Sequence, residues 1–418
     1  MIALRLGWRN LWRNVSRSLI TISAIACGFA LLIIIIGLVM GIANQMLNNG
    51  TSLLLGDVQI HHRNYLPERD LYETLGSGHA DNLKELLDKL RHFPELPNLT
   101  PRVHAFGLLS SGEYSSGAQL MGVDAESEIN VTSFLDGIEE GLIQPPEAQP
   151  VLLGDVLAKE LSVTKGSKIA IVTQSADGSL GNDLFYVSGI LHTGLAHIDR
   201  TLAVFTLSDL QKLLAFEPGT IHEIAISIQD PMIADQVVAT LNQSALLPSN
   251  GIAHSWGDLA PQLKDYIGVV HGLYGFLILL IALFVAAGVL NTMMMSVFER
   301  TREIGLINAL GMQPRLIISS ILFESFFLGF LGLGLGLGLG TLGMSHLTTE
   351  GLNLTRWMGE FAMLGSRMDP ILKAVWGWDY VVWSAVGLLT STVLAALFPA
   401  MHATRLDPVE ALAAPVEG

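Results

Sequence analysis

Charge is scarce in this chain: Asp, Glu, Lys and Arg make up 15% of 418 residues, against about a quarter in a soluble domain. A wholly soluble globular protein is therefore excluded as the first expectation. Cysteine is scarcer still. The single Cys27 cannot close an internal disulfide and leaves no set for a Cys-rich zinc or iron–sulfur centre. Basic residues are outnumbered, 23 to 38, and a net charge of −15 argues against nucleic acid as a partner. A nucleotide site is missing as well. No Gly-Lys-Ser/Thr occurs anywhere, and Lys165-Gly166-Ser167-Lys168 lacks the upstream glycine that would bring backbone N–H groups to a phosphate. No metal or other cofactor is expected in the chain.

What is abundant is apolar length. A bilayer crossing needs about 20 residues at about 1.5 Å each. Four segments qualify: 19–43, 267–298, 316–344 and 380–401. The first has too long an apolar run for a signal peptide, has no small-residue cleavage site, and is preceded by four arginines, so it reads as a retained anchor. Residues 1–18, 299–315 and 402–418 together hold 8 basic and 5 acidic residues, whereas 44–266 holds 12 basic and 28 acidic. The positive-inside rule then puts both termini in the cytoplasm and 44–266 outside. The expected architecture is a multi-pass inner-membrane protein: four transmembrane helices, a large mixed α/β extracytoplasmic domain between helices 1 and 2, and a second outer loop at 345–379.

The outer segment is long enough to bury its own core. Strand patterns appear at Asp57–His61, Val103–Leu109, Gln119–Val123, Lys168–Val172, Leu184–Ile190 and Ile221–Ile228. Leu83, Leu86, Leu87 and Leu90 recur at helical spacing. Thr206 or Ser208 caps a second helix, and Asp230-Pro231 opens a third that runs to Asn242. The prolines of Ile143–Pro150 mark a hinge, and Ser175–Asn182 a hairpin tip. Ser255 is expected to cap a helix passing through Leu259, Leu263 and Ile267 into the second span. From Pro261 to Phe298 it measures about 57 Å, nearly twice the roughly 30 Å hydrocarbon core, so the excess projects as a stalk.

Several residues invite functional readings. Arg5, Arg9, Arg13 and Arg17 form one drifting helical face, with Leu4, Trp8, Leu11, Trp12 and Val15 covering much of the rest, the pattern of an interfacial helix on the inner leaflet. Glu324 is costly in a membrane and must face the bundle or a polar cavity. The alternating run Gly329–Gly343 cannot be an isolated strand in lipid. As a helix it sets Gly332, Gly336 and Gly340 on one face and Gly334 and Gly338 roughly opposite, permitting close helix packing or dimerisation. His61 and His62 point to opposite faces of a strand and do not make a metal pair. Asp155, Asp183, His192, His197 and Asp199 suggest a hydrolytic site, but no nucleophile motif accompanies them, so catalysis is not expected.

Residues 291–313 read NTMMMSVFERTREIGLINALGMQ, and 398–412 read FPAMHATRLDPVEAL. Together with VLLGDVLAKEL at 151–161, KGSKIAIV at 165–172 and SGILHTGLAHIDRTLAVFTLSDLQKLL at 188–214, they resemble the FtsX-like permeases, the MacB and LolC/LolE type of ABC transporter subunit. The resemblance implies a non-catalytic permease that pairs with a second permease, the same or a homologous chain, over a dimer of cytoplasmic ATPases. ATP and magnesium would be held by those ATPases. MacB carries its ATPase ahead of the first span, where this sequence has 18 residues, so a separate ATPase is expected. The coupling element would be Glu299–Leu310, with Glu299, Arg300, Arg302 and Glu303 offering charge and Leu306 and Leu310 apolar anchors.

The layout resembles LolC and LolE, which implies a lipoprotein or lipid substrate drawn from the inner membrane, with a periplasmic acceptor or adaptor. Met40, Met46, Leu47, Ile267, Val270 and Tyr274 are candidates for substrate contact near the outer ends of spans one and two. The departure is the longer loop 345–379, where Trp357, Met358, Phe361, Met363, Leu364, Trp376 and Trp378 suggest an amphipathic segment at the outer interface. Two alternatives stand: a MacB-like efflux permease, and FtsX-like transmembrane signalling to a cell-wall hydrolase.

Overall fold

The computed structural model describes residues 2–76, 80–93, 95–136, 149–244, 246–354, 361–363, 366–368 and 371–405. The chain divides into two compact units. One comprises Met1–Ala43, Ile267–Arg356 and Ile371–Gly418, and the other Asn44–Tyr266 with Trp357–Pro370.

The chain opens with helix α1 (Ile2–Leu11), breaks over 12–14, and continues as α2 (Val15–Gly50). The break interrupts the arginine face read from the sequence, and the Ser18 hydroxyl closes the corner by donating to the Leu11 carbonyl at 2.7 Å. A π-helical turn at Thr51–Leu55 leads into the extramembrane unit.

That unit is built on strands β1 (Val58–His62), β2 (Asn98–Ser110), β3 (Ser115–Val123), β4 (Pro150–Gly154), β5 (Lys168–Gln174), β6 (Leu180–Leu191), β7 (Leu202–Thr206), β8 (Glu223–Ser227) and β9 (Gly251–Ser255). Their order is β3-β7-β4-β6-β5-β2-β8-β1-β9, and β3 also pairs with β2, so six strands close on themselves while β8, β1 and β9 extend the sheet. Pairs β3–β7 and β4–β6 are parallel and the rest antiparallel. Leu109, Leu120, Ile171 and Phe185 are fully or almost fully buried, and Phe185 meets Phe205 edge-to-face at 5.0 Å.

Between the strands lie α3 (Ala80–Arg91), α4 (Ala125–Glu128), α5 (Asp155–Glu160), α6 (Ala196–Asp199), α7 (Leu207–Leu213), α8 (Ala234–Gln243) and α9 (Trp256–Leu259). Thr206 caps α7 by accepting from the Asp209 N–H at 3.2 Å. Asp230 accepts from the Met232 N–H at 3.0 Å and opens a 3-10 turn ahead of α8. Gly178 takes a positive φ at the β5–β6 tip, as expected there. The expected hinge at 143–148 lies outside the described residues.

Ser255 does cap a helix, through a capping box with Asp258, but that helix is only α9. Ala260 leaves the helical region (φ −129°, ψ 72°) because the ring of Pro261 disfavours α geometry in the residue before it. The long helix α10 (Pro261–Glu299) starts afresh there and runs 39 residues.

The remaining elements are α11 (Thr301–Ala309), α12 (Pro314–Thr349), strands β10 (Leu352–Asn353), β11 (Phe361–Met363), β12 (Ser366–Met368) and β13 (Ile371–Leu372), then α13 (Trp378–Ala395) and α14 (Leu397–Thr404). Helices α2, α10 and α12, and α13 together with α14, are long and apolar enough to cross a membrane. Their shared core includes Phe29, Leu32, Ile33, Ile36, Val289 and Leu388. In the second loop β10 pairs with β13 and β11 with β12. Trp357, Met358, Leu364 and the side chains of Phe361 and Met363 lie outside the described residues. Trp376 packs against the helix core, and Trp378 meets it edge-to-face at 5.3 Å.

Glycines settle the α2–α12 contact. A Cβ on Gly336 would lie 2.6 Å from the Ala26 carbonyl oxygen, and one on Gly332 2.7 Å from Ile25, while Gly340 faces Ile33. Gly334 and Gly338 meet nothing within 4 Å. The close-packing face is therefore spent within the chain.

Candidate functional site

The residues expected to couple this chain to a partner converge where α10 turns into α11. Arg300 sits at the break, with non-helical backbone (φ −104°, ψ 9°). Its guanidinium donates to Glu324 Oε2 on α12 at 3.1 Å and to the Asn10 carbonyl of α1 at 3.3 Å. Both charged side chains are about nine-tenths buried. A buried carboxylate needs such a partner, because burying either charge alone costs several kcal/mol.

Helix α1 closes the arrangement. Gly7 lies so near α12 that a Cβ would stand 2.9 Å from the Glu324 nitrogen. Arg13 pairs with Glu303 at 2.7 Å, and Arg17 pairs with Glu299. Ile304 packs against the cluster of Val297, Ile317, Ile321, Ala400 and Ala403. A cavity of about 100 Å³ lies beneath α11, lined in part by Asn10, Arg300, Ile307 and Glu324.

This corrects the sequence reading in one respect. Glu299, Arg300 and Glu303 do not simply offer charge outward; each is paired within the chain, to an arginine of the N-terminal segment or to Glu324. The N-terminal arginines gave the missing signal, since four positive charges beside a Glu-Arg-x-Arg-Glu segment are complementary. Arg302, Leu306 and Leu310 are the residues left outward. They recur every four positions along one face, with Leu306 51% and Leu310 79% exposed.

A second feature lies between α2 and α10. A groove of about 540 Å³ is lined mainly by apolar residues, Ile20, Ala24, Leu31, Ile281 and Phe284 among them, with Thr21, Asn291 and Thr292 adding polar groups. The residues expected to contact substrate are elsewhere. Met46, Leu47, Ile267 and Val270 are buried, and Met40 and Tyr274 are half-buried against the helix core.

In the extramembrane unit, Asp155, His192 and Asp199 come together, with His192 Nδ1 3.4 Å from Asp155 and 3.8 Å from Asp199. Asp183 and His197 stay apart from them. Lys159 already sits 2.8 Å from Asp155. His61 and His62 diverge as expected: His61 accepts from or donates to His254 at 2.9 Å and stacks on it, whereas His62 pairs with Glu73 at 2.5 Å. Sequence reasoning missed the fully buried Arg102, which binds Glu128 at 2.5 Å, Glu223 at 3.2 Å and the Leu54 carbonyl at 2.7 Å. Its partners lie 26 and 121 positions away, and no local pattern joins them.

Four long apolar helices, a mixed α/β domain inserted between the first two, and a short helix fixed by buried charge between the second and third have the layout of a membrane permease subunit. The family models agree. The MacB-like periplasmic core domain matches residues 18–244 and the FtsX-like permease C-terminal model matches 275–408. The chain belongs to this family of ABC transporter permeases. It is 23% identical over 94% of its length to the lipoprotein-releasing system transmembrane protein LolC of Neisseria meningitidis, covering 93% of that protein. LolE of Haemophilus influenzae is 22% identical over 80% of each chain. The macrolide export ATP-binding/permease protein MacB of Syntrophobacter fumaroxidans is 41% identical over 30% of this chain and 15% of that one.

Proposed function

We infer that the chain is the permease of a lipoprotein-releasing ABC system of the inner membrane, driven by an ATPase that is a separate protein. The observation that carries this reading is the near full-length correspondence with LolC, a transmembrane protein of such a system. The absence of any Gly-Lys-Ser/Thr from the sequence is consistent with ATP and magnesium being bound by the partner.

In this reading α11 docks on the ATPase through Arg302, Leu306 and Leu310, an exposed charge flanked by apolar anchors. Movement of α11 is passed on by charge rather than by loop. Arg300 carries it to α12 through Glu324 and to α1 through the Asn10 carbonyl, and Arg13 and Arg17 carry it toward α2. Both α2 and α10 begin or end beyond the membrane unit without a helical break, so each can act as a lever. The groove between them suits an acyl chain, being mainly apolar and open on one side. Both termini are assigned to the cytoplasm from the distribution of arginine.

The test is reconstitution with its ATPase in proteoliposomes carrying an acylated lipoprotein. ATP-dependent release of the acylated form, with none of a non-acylated version, supports the reading. Equal handling of both forms overturns it. The 41% match to part of MacB favours efflux as the second reading, in which a soluble macrolide-type substrate would stimulate ATP hydrolysis instead.

A further inference from the structure

The extramembrane unit holds a cavity of about 210 Å³, remote in sequence from the coupling segment, that nothing above uses. Its floor is the outer face of β2, β3 and β5, and the segment of Glu68, Arg69 and Leu71 forms a wall. Alternation along β2 puts Arg102, His104, Phe106 and Leu108 on that one face. The first two are buried, while Phe106 is 67% and Leu108 49% exposed. The face therefore passes from buried charge to open apolar surface, with the cavity at the change.

His104 is 8% exposed, and among the described residues neither ring nitrogen is in hydrogen-bond geometry, although Nε2 is within ion-pair reach of Glu223. Nε2 lies 3.1 Å from Glu223 Oε1 but off the line of a hydrogen bond. Leaving a buried donor unmade costs about 1–3 kcal/mol, so an arrangement of this kind points to an absent partner. The neighbouring histidine cannot supply one. His222 accepts the His104 backbone N–H on Nδ1 at 3.0 Å and so donates from Nε2 to the Leu71 carbonyl at 3.1 Å, which uses both its nitrogens.

Two further donors line the cavity. Arg69 makes no ion pair among the described residues, and its backbone is held left-handed (φ 52°), a conformation costing of order 1 kcal/mol or more for a side chain of this kind. Gln119 lies directly across from Phe106 in the β2–β3 register, and among the described residues its amide makes no hydrogen bond. The facing acid, Glu68, is exposed. Behind the site, Glu223 Oε1 accepts from Arg102 at 3.2 Å, while its Oε2 is buried with no hydrogen-bond partner among the described residues.

From this convergence of unused donors we propose that the cavity binds a carboxylate carried on a short apolar or aromatic group, with Arg69 and His104 as its ligands and Phe106 against its apolar part. A volume of 210 Å³ equals about seven waters at about 30 Å³ each, enough for a small aromatic acid or one acidic side chain. The proposal does not depend on what the transporter moves.

The test uses the full chain in lipid nanodiscs, titrated with phenylacetate and with phenylacetamide, its neutral analogue, by calorimetry and saturation-transfer NMR. Phenylacetate binding at least tenfold tighter than the amide, with at least a tenfold loss in Arg69→Gln, is expected. His104→Gln should do the same, and Arg69→Gln keeps the test valid if the buried change disturbs folding. The source is read from a capped peptide bearing one aspartate beside a phenylalanine. Tighter binding by the peptide than by phenylacetate assigns the carboxylate to a protein partner, and the reverse assigns it to a free acid. No binding of either, equal binding of acid and amide, or unchanged affinity in both variants overturns the proposal.

Discussion

Arg300 and Glu324 tie the break between α10 and α11 to α12 through one buried ion pair. Glu324→Ala leaves a guanidinium buried without its carboxylate, and about 3–5 kcal/mol of destabilisation is expected, seen as a lower midpoint of thermal unfolding in detergent. Arg300→Met with Glu324→Leu should recover much of that loss, since two apolar groups need no partner. A Glu324→Ala midpoint equal to that of the parent would show that the pair does not hold the helices. By contrast Arg13 and Glu303 are about half exposed, and breaking their pair should cost no more than about 1 kcal/mol.

The extramembrane unit carries a pH signature at the same scale. Burial, and then the neighbouring His104, lower the His222 pKa to about 4. The unfolded chain binds a proton there near pH 6.5 while the folded chain does not, so stability is full above about 6.5 and falls as pH drops toward 4. Burial opposes ionisation of Glu223, yet His104, Arg102 and Arg69 hold its carboxyl well below the ordinary range, so its contribution is lost only at lower pH. Denaturant midpoints measured between pH 4 and 7 should fall with acid, and His222→Gln should flatten that slope.

Among the elements, α2 and α12 offer the sharpest contrast. Gly336→Leu forces a side chain into the Ala26 and Phe29 backbone region and should abolish assembly, whereas Gly338→Leu enters open space and should leave the purified yield unchanged. The opposite ranking would mean that the outer glycine face makes the essential contact. Gly332, Gly336 and Gly340 were legible because helical period alone sets them on one face, but their partner was not, since period does not say which helix fills the groove. The same limit explains the strands. Strands β1, β2, β3, β5, β6 and β8 alternate or stand out as apolar runs, whereas β4 (PVLLG) and β7 (LAVFT) are short and lack clear polar alternation. The Ala260 break was readable from Pro261 yet overlooked, because the apolar pattern continues across it. The charge pair from Arg13 to Glu303 of α11 spans 290 positions, and that from Arg17 to the last residue of α10, Glu299, is nearly as remote, beyond any local rule.

At the scale of the whole molecule, the proposed function makes the outward face of α11 the point of entry for the ATPase's movement. Arg302→Glu with Leu306→Ala touches none of the internal pairs, so folding should persist while coupling to the ATPase is lost. The most direct measurement is ATP-driven release of acylated lipoprotein from proteoliposomes containing the ATPase and either the parent chain or this double variant. The account predicts that the variant retains the parent's thermal midpoint, loses at least tenfold in release and no longer couples hydrolysis to substrate. Release at the parent's rate would contradict it.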